Sequence, residues 1–165
     1  MKNALTVLFL LVLMVPAVSQ GGEEWKKYDL AGAGSIEAPA FLDGSLEKLE
    51  LAKPDGITAV YEVRYAEFQF AVYIYGVQED NKEAIQNELN RWTGLKLTSR
   101  KEIKGGNYEG VEIAATAPSK KGACVFMRIV RSKNTILNIM MFSSVPLDAR
   151  GKAMKERYFG SFVVK

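Results

Sequence analysis

The stretch VYEVRYAEFQFAVYIYG, Val60–Gly76, decides how the chain folds. It is rich in aromatic and β-branched residues, which predicts two strands, Ile57–Tyr65 and Phe68–Val77. A two-residue turn at Ala66 and Glu67 joins them. In this register one face of the hairpin is wholly apolar, whereas the other face is polar near the turn and apolar farther away. We therefore expect another layer of the protein over the first face and over part of the second.

The four tyrosines of this stretch leave two interpretations open. Tyr61 and Tyr65 lie on the apolar face, and we interpret them as core residues whose hydroxyl groups reach its rim. Tyr73 and Tyr75 lie on the other face, where either a helix covers them or they form an exposed platform for a ligand. We therefore predict Tyr73 and Tyr75 as candidate ligand-binding residues, with helix contact as the alternative.

Two helices are predicted after the hairpin. The segment Glu79–Gly94 has apolar residues at helical spacing, and Asp80 and Glu83 have the spacing of a capping box. The second helix is predicted over Leu147–Phe159, and close packing is expected at Gly151 because glycine weakens a helix. The apolar stripe of the first helix consists of Ile85, Leu89 and Trp92.

The other extended segments complete the predicted sheet. Four of them lie between the two helices, and their short turn-forming connections predict antiparallel pairing of neighbours. The last two of these four are apolar on both faces and need cover on both sides. The fold class predicted is α+β, a central antiparallel β-sheet with helices on both faces, as in an α/β/α sandwich. The four segments are LKLTSRKEI, YEGVEIAATA, ACVFMRIVR and TILNIMMFS, and shorter extended pieces are WKKYDL, GSIEAP and the closing SFVVK.

The first residues predict the compartment. A positive start, MKN, precedes the apolar run ALTVLFLLVLMV, and Ala17 and Ser19 have the spacing that a signal peptidase reads. We expect a signal peptide over residues 1–19, cleavage between Ser19 and Gln20, and a secreted or periplasmic location. A retained N-terminal anchor is the alternative, although the run is shorter than the roughly 20 residues of a membrane span.

The predicted mature chain has the size of one domain. We expect a flexible tail over residues 20–24 and a single α+β domain over residues 25–165, which is long enough for a hydrophobic core. Removing Lys2 with the leader lowers the formal charge from +3 to +2. So weak a charge gives no reason to expect nucleic acid as a partner.

The composition excludes several kinds of chemistry. The chain has no histidine and a single cysteine, Cys124. Without histidine, serine triads and cysteine–histidine pairs are excluded in their usual forms, and the residues for a tetrahedral zinc site are lacking. Cys124 opens an apolar strand and is interpreted as an inert thiol. We predict no catalytic residue, no metal site and no cofactor.

Two charged residues interrupt apolar strands. Arg128 lies within CVFMRIV and Glu112 within GVEIAA, and neighbouring antiparallel strands could place the two within contact. A charge on a covered strand is paired or reaches solvent. The two residues are therefore either a structural salt bridge or ligand-binding residues, which we predict together with Tyr73 and Tyr75. Asn138 in ILNIM raises the same question.

Three functional hypotheses follow. The first is an exported, non-catalytic binding or assembly domain, whose partner is an unknown protein or small molecule of the cell envelope. The second is a hydrolase that uses carboxylates or a tyrosine, drawn from Glu62, Glu109, Glu112 and Tyr73. The third is an envelope protein that contacts anionic membrane surfaces through Lys120 and Lys121. Other basic residues, which are either solvated or contact an acidic partner, are Lys96, Arg100, Lys101 and Lys104.

Three local motifs resemble the PsbP-like group of proteins, over about residues 25–163. They are the early strand GSIEAP, the strand entry IKGGNYEGVEIAA and the closing RYFGSFVV. The chain departs from the group's pattern at Gly34, where an aromatic residue is common, and at Ala40 and Phe41, where a tryptophan often follows the proline. The resemblance implies a central antiparallel sheet with helices on both faces, in a group used mainly for binding and assembly.

Overall fold

The computed structural model describes residues 24–39, 47–48, 57–77, 83–118 and 120–165. The predicted signal peptide and most of the predicted tail lie outside these residues. No helix among the residues described has the length and apolar character to cross a bilayer. The strands are β1 (Trp25–Asp29), β2 (Gly34–Pro39), β3 (Glu47–Lys48), β4 (Ile57–Tyr65), β5 (Phe68–Gly76), β6 (Lys96–Lys104), β7 (Glu109–Thr116), β8 (Cys124–Ser132), β9 (Thr135–Ser143) and β10 (Val163–Val164), and the helices are α1 (Ala84–Asn90) and α2 (Ala149–Gly160).

Seven strands form one antiparallel sheet in the order β3-β4-β5-β9-β8-β7-β6. The hairpin has the predicted register, with Tyr65 opposite Phe68 and Tyr61 opposite Val72. Ala66 occupies the turn with a φ of 52°, in the left-handed region that a tight hairpin turn requires. The predicted antiparallel sheet with two helices is confirmed.

A second, smaller sheet was not predicted as a separate element. It has the order β1-β2-β10, so the two N-terminal strands pair with each other and with the end of the chain. Leu30 and Ile36 of this region are fully buried. The small sheet therefore contributes part of the core.

Alternate residues of the large sheet belong to two apolar clusters. Phe70 and Val72 of β5 belong to the α2-side cluster, together with Met154 and Tyr158 of α2. The next residues along β5 belong to the α1-side cluster, in which Ala84 of α1 is buried. This division follows from the alternation of side chains along a strand. The apolar side chains on both faces of these strands are therefore packed in a cluster, as their composition predicted.

Both helices begin later than predicted. Asp80 lies outside the described residues, and Glu83 stands at the N-cap of α1 without a capping hydrogen bond from its side chain. In α2 the N-cap is Asp148, whose Oδ1 accepts a hydrogen bond of 2.7 Å from the Gly151 backbone N–H. The close packing expected at Gly151 is confirmed, because a Cβ there would lie 3.1 Å from the Phe68 ring.

Candidate binding cleft

Arg128 and Glu112 meet across two neighbouring strands. They are directly opposite in the β7–β8 register, and both side chains point to the α2 side of the sheet. The guanidinium Nη2 lies 2.7 Å and Nε 3.2 Å from Glu112 Oε2. The Arg128 side chain is 20% exposed and that of Glu112 is 45% exposed. The predicted contact between the two residues is therefore present at a partly solvated position.

Arg128 also holds the end of α2. Its Nη1 donates a hydrogen bond of 2.7 Å to the backbone carbonyl of Phe159, and its guanidinium carbon lies 5.4 Å from the centre of the Phe159 ring. The last carbonyl groups of a helix lack partners within the helix and carry partial negative charge, so a cation is favourable there. These contacts use three of the five N–H groups of the guanidinium. Arg128 is thus fixed in position and retains donors for another molecule.

A cleft of about 520 Å³ opens beside this pair, between α2 and strands β6 to β8. Small residues, Ser99, Ala114 and Gly160, leave space between the sheet and the helix. The other lining residues are Lys101, Glu112, Ile113, Phe126, Arg128, Lys155, Glu156 and Phe159. A cleft of this volume is within the range of small-molecule sites.

Two lysines stand at opposite walls of the cleft. Lys101 extends from β6, and its register partner on β7 is Glu112. Lys155 extends from α2, and its Nζ lies 4.9 Å from the centre of the Phe126 ring. With Arg128 the lining has three cationic and two anionic side chains. The cleft therefore combines a small excess of positive charge with apolar walls.

Tyr73 and Tyr75 lie on the opposite face of the sheet, next to α1. Tyr73 is half-buried, with its ring in an edge-to-face contact 6.3 Å from that of Trp92. Tyr75 is 7% exposed, and the Arg91 guanidinium stacks 5.2 Å from its ring centre. Burial raises the pKa of the Tyr75 hydroxyl, and the neighbouring Glu88 carboxylate raises it further. Of the four predicted site residues, only Arg128 and Glu112 therefore share one site.

A buried polar centre on the α1 side was missed from the sequence. Glu88 of α1 is 4% exposed, and its Oε1 accepts hydrogen bonds from Asn138 Nδ2 at 2.7 Å and from Trp92 Nε1 at 3.2 Å. Its Oε2 lies 3.3 Å from Arg91 Nε, and the Tyr75 hydroxyl also bonds to the carboxylate. We call this group of five residues the Glu88 centre.

A sequence signal for the Glu88 centre existed. Glu88 falls within the spacing of the predicted apolar stripe, three residues after Ile85 and four before Trp92. Asn138 of β9 is directly opposite Tyr73 in the register. A polar residue on the apolar side of a helix and an amide in an apolar strand are natural partners, since buried polar groups need hydrogen bonds.

The carboxylates considered for hydrolysis do not meet. Glu62 lies on β4, where its Oε1 accepts a hydrogen bond of 2.9 Å from Arg64 Nε, and Glu109 begins β7. Strands β5, β9 and β8 separate β4 from β7 in the sheet. Glu112 faces the cleft, whereas Tyr73 lies on the other face. The four residues thus form no common site.

The remaining predicted features are found at the surface. Lys120 and Lys121 are exposed in the turn before β8, and β6, which carries the other basic residues, is exposed along most of its length. Burial raises the pKa of the Cys124 thiol, whose Sγ lies 3.6 Å from the Val145 carbonyl oxygen. Across residues 24–165, outside the undescribed gaps, no three histidine, cysteine, aspartate or glutamate side chains are grouped for metal binding.

The arrangement of sheet and helices is that of a PsbP-like fold. The solution structure of cyanobacterial PsbP (CyanoP) from Synechocystis sp. PCC 6803 matches it with a TM-score of 0.58, covering 89% of this chain and 96% of CyanoP at 12% sequence identity. A protein of unknown function from Pseudomonas aeruginosa, PA94, described as a putative regulator, has a TM-score of 0.38 at 12% identity, covering 81% of this chain and 89% of PA94.

Sequence comparison adds no relative to these structural ones. No protein-family model matches the chain, and no curated protein matches it. At 12% identity the likeness to CyanoP shows the fold alone. Function must therefore be argued from the cleft itself.

Proposed function

We propose that the protein is an exported, non-catalytic binding or assembly domain, and that the cleft beside Arg128 receives its ligand or partner. The observation that carries this proposal is the fixed position of Arg128. Glu112 and the Phe159 carbonyl hold the guanidinium at the mouth of an open cleft, with donors left over. A preorganised donor lowers the entropic cost of binding, because it is already ordered before the ligand arrives.

The proposal takes the whole domain as an α/β/α sandwich that presents this cleft. Residues of α1 pack in one apolar cluster and residues of α2 in the other. In such an arrangement the sheet is a rigid support, and the lining of the cleft changes little when a molecule enters. The aromatic side chains of the hairpin then serve the core rather than recognition.

Photo-crosslinking within the native cell envelope tests the binding role. Benzoylphenylalanine replaces Ser99, which lines the cleft, or Lys152, which is exposed on α2 away from it. A discrete adduct is expected from position 99 and not from position 152. The adduct should disappear when Ala114→Phe fills the cleft. Identical adducts from both positions, unaffected by Ala114→Phe, would contradict the proposal.

The export part of the proposal rests on the leader sequence and is tested separately. Cell fractionation followed by N-terminal sequencing should recover a chain that starts at Gln20 from the secreted or periplasmic fraction. A chain that retains Met1 and sediments with membranes would instead support the retained anchor. Both results leave the role of the cleft open to its own test.

Contact with anionic lipid surfaces through Lys120 and Lys121 is a second candidate, favoured by the exposure of both side chains. Sedimentation with vesicles of anionic phospholipid should then be weakened by added salt, since exposed charges are screened. Charge reversal by Lys120→Glu with Lys121→Glu should abolish it. Unchanged sedimentation of the double variant would exclude this surface.

A further inference from the structure

We propose that the ligand of the cleft is a small organic monoanion with an apolar body, such as an aromatic or aliphatic carboxylic acid. This inference rests on the proposed function, since it assigns a ligand class to the same cleft. It is drawn from the balance of charge in the lining, from the placement of the aromatic rings and from the volume.

The charge of the lining suits one negative group. Arg128 is largely neutralised by its two short contacts with Glu112 Oε2. The cations that remain are Lys101 and Lys155. Neither forms a salt bridge with another residue that the structure describes, and the charge of Glu156 offsets one of them. A single anionic head group is thus attracted between two lysines, whereas a second negative charge would face Glu112 and Glu156 without compensation.

The aromatic rings place apolar surface directly beside the cations. Lys155 Nζ lies over the Phe126 ring, and the Arg128 guanidinium lies over the Phe159 ring. Ala114, directly opposite Phe126 in the strand register, adds further apolar surface. A molecule whose anionic head meets the cations therefore brings its adjoining atoms against aromatic carbon. An inorganic anion would leave this apolar surface unused.

The walls also indicate how the ligand is held. Lys101 belongs to a strand and Lys155 to a helix, so the head group joins two elements of the fold. Both side chains are flexible, and each gives a long-range attraction rather than a fixed geometry. Arg128 supplies the fixed donors, because α2 and β7 hold its guanidinium in place. The volume of about 520 Å³ accommodates a body of two or three rings.

A matched pair of fluorescent probes tests the ligand class. Anilinonaphthalene sulfonate carries one negative charge, and N-phenyl-naphthylamine has the same ring system without it. Equilibrium fluorescence titration of the intact protein should give at least about fivefold tighter binding of the sulfonate, because Lys101 and Lys155 attract its charge. Equal affinities for the two probes would overturn the inference.

Variants locate the effect. Replacing both lysines, by Lys101→Gln with Lys155→Gln, should weaken the sulfonate about tenfold and leave the neutral probe unchanged. Lys152→Gln on the exposed side of α2 removes the same charge outside the cleft and should leave both affinities unchanged. Filling the space by Ala114→Phe should weaken both probes. Thermal unfolding of each variant checks that it is folded.

The outcomes separate this inference from the proposed function. If the lysine variants bind the sulfonate as the wild type does, the ligand class is wrong, whatever the crosslinking shows. If the cleft-dependent crosslink forms but the two probes bind equally well, the binding role is retained and the anionic ligand class is wrong. If no crosslink forms but the sulfonate still binds in a lysine-dependent way, the preference for an anion is retained and the binding role in the cell envelope is removed.

Discussion

Two arginine–glutamate pairs lie on opposite sides of the same sheet, and their exposures are inverted. In the Glu88 centre the glutamate is 4% exposed and Arg91 is 44% exposed. Beside the cleft Arg128 is 20% exposed and Glu112 is 45% exposed. The buried carboxylate is surrounded by donors, whereas the more buried guanidinium borders an open space. We interpret the Glu88 pair as architectural and propose that the Arg128 pair is the one available to a ligand.

The difference arises from what covers each side. Over the Glu88 centre, Trp92 and Tyr75 close the space around the carboxylate. Over Arg128, the end of α2 leaves a gap because small residues line it. An ion pair that is broken in a closed site leaves an uncompensated buried group, which is costly. Near an open site, water compensates for much of the loss.

The largest effect is expected from Glu88→Ala. Removal of the carboxylate leaves the buried Asn138 amide and the Trp92 indole without their acceptor, so the free energy of unfolding should fall by about 3 kcal/mol. Urea denaturation measures it. The matched control is Glu102→Ala, which breaks an exposed pair with Arg100 and should cost less than about 0.5 kcal/mol. Equal losses in the two variants would show that the buried Glu88 contributes no more to stability than an exposed glutamate.

A smaller loss is expected on the cleft side. Arg128→Met removes the donor to the Phe159 carbonyl and the partner of Glu112. We expect a loss of about 1–2 kcal/mol, because Glu112 is 45% exposed and Phe159 lines the open cleft. Arg100→Met, at the exposed pair with Glu102, is the control and should cost under about 0.5 kcal/mol. A loss from Arg128→Met that exceeds that of Glu88→Ala would show that the cleft pair is the structural one.

Alkaline pH should reveal the buried tyrosine on the cleft side. Tyr158 is fully buried, its hydroxyl donates to the Ala71 carbonyl at 3.0 Å, and burial raises its pKa. The unfolded chain releases this proton near pH 10, so the contribution of Tyr158 to stability is complete below about pH 10 and is lost as the pH rises above it.

Tyr158→Phe tests this by denaturation at two pH values. At pH near 7 the variant should be less stable than the wild type by about 1 kcal/mol, because the hydrogen bond is lost. About one pH unit above pH 10 the wild type alone has lost about 1.4 kcal/mol, so the difference should vanish and reverse slightly. Parallel stability curves for the two proteins would mean that Tyr158 ionises in the folded state as it does in the unfolded state.

The smallest effect is a gain, at the hairpin turn that both sides share. Ala66 has a φ of 52°, which glycine adopts without a steric penalty. Ala66→Gly should stabilise the protein by about 0.5 kcal/mol, the strain relieved less the added entropy of the unfolded chain. Ala117→Gly, at a position without positive φ, should be neutral or destabilising. If Ala66→Gly destabilises, the turn does not require this conformation.

Much of the sheet could be predicted because its information is local. Alternation in the hairpin defines which residues face each other, and short turns make β6, β7, β8 and β9 successive neighbours. The contact of Arg128 with Glu112 follows from the same reasoning. The pairing of β5 with β9 could not be found in this way, because the two strands are far apart in sequence and no turn links them.

The sites were less predictable for a related reason. The Glu88 centre depends on how α1 lies over β9, and the cleft depends on where α2 ends relative to β6. Neither is encoded in one segment. Tyr73 and Tyr75 were correctly placed on the second face. The sequence left open whether a helix packs against them or they form an exposed platform. Tertiary packing decided the role of these tyrosines.

Mapping the bound probe on the protein shows whether it occupies the cleft beside Arg128. Two-dimensional amide NMR spectra recorded while anilinonaphthalene sulfonate is added report which backbone groups respond. We predict shifts at Ala114, Phe126 and Gly160 around the cleft, with the amides of Ala84–Asn90 in α1 unchanged. Shifts concentrated in α1 and at Tyr73, with the cleft unaffected, would show that the binding site is on the α1 side and not in the cleft.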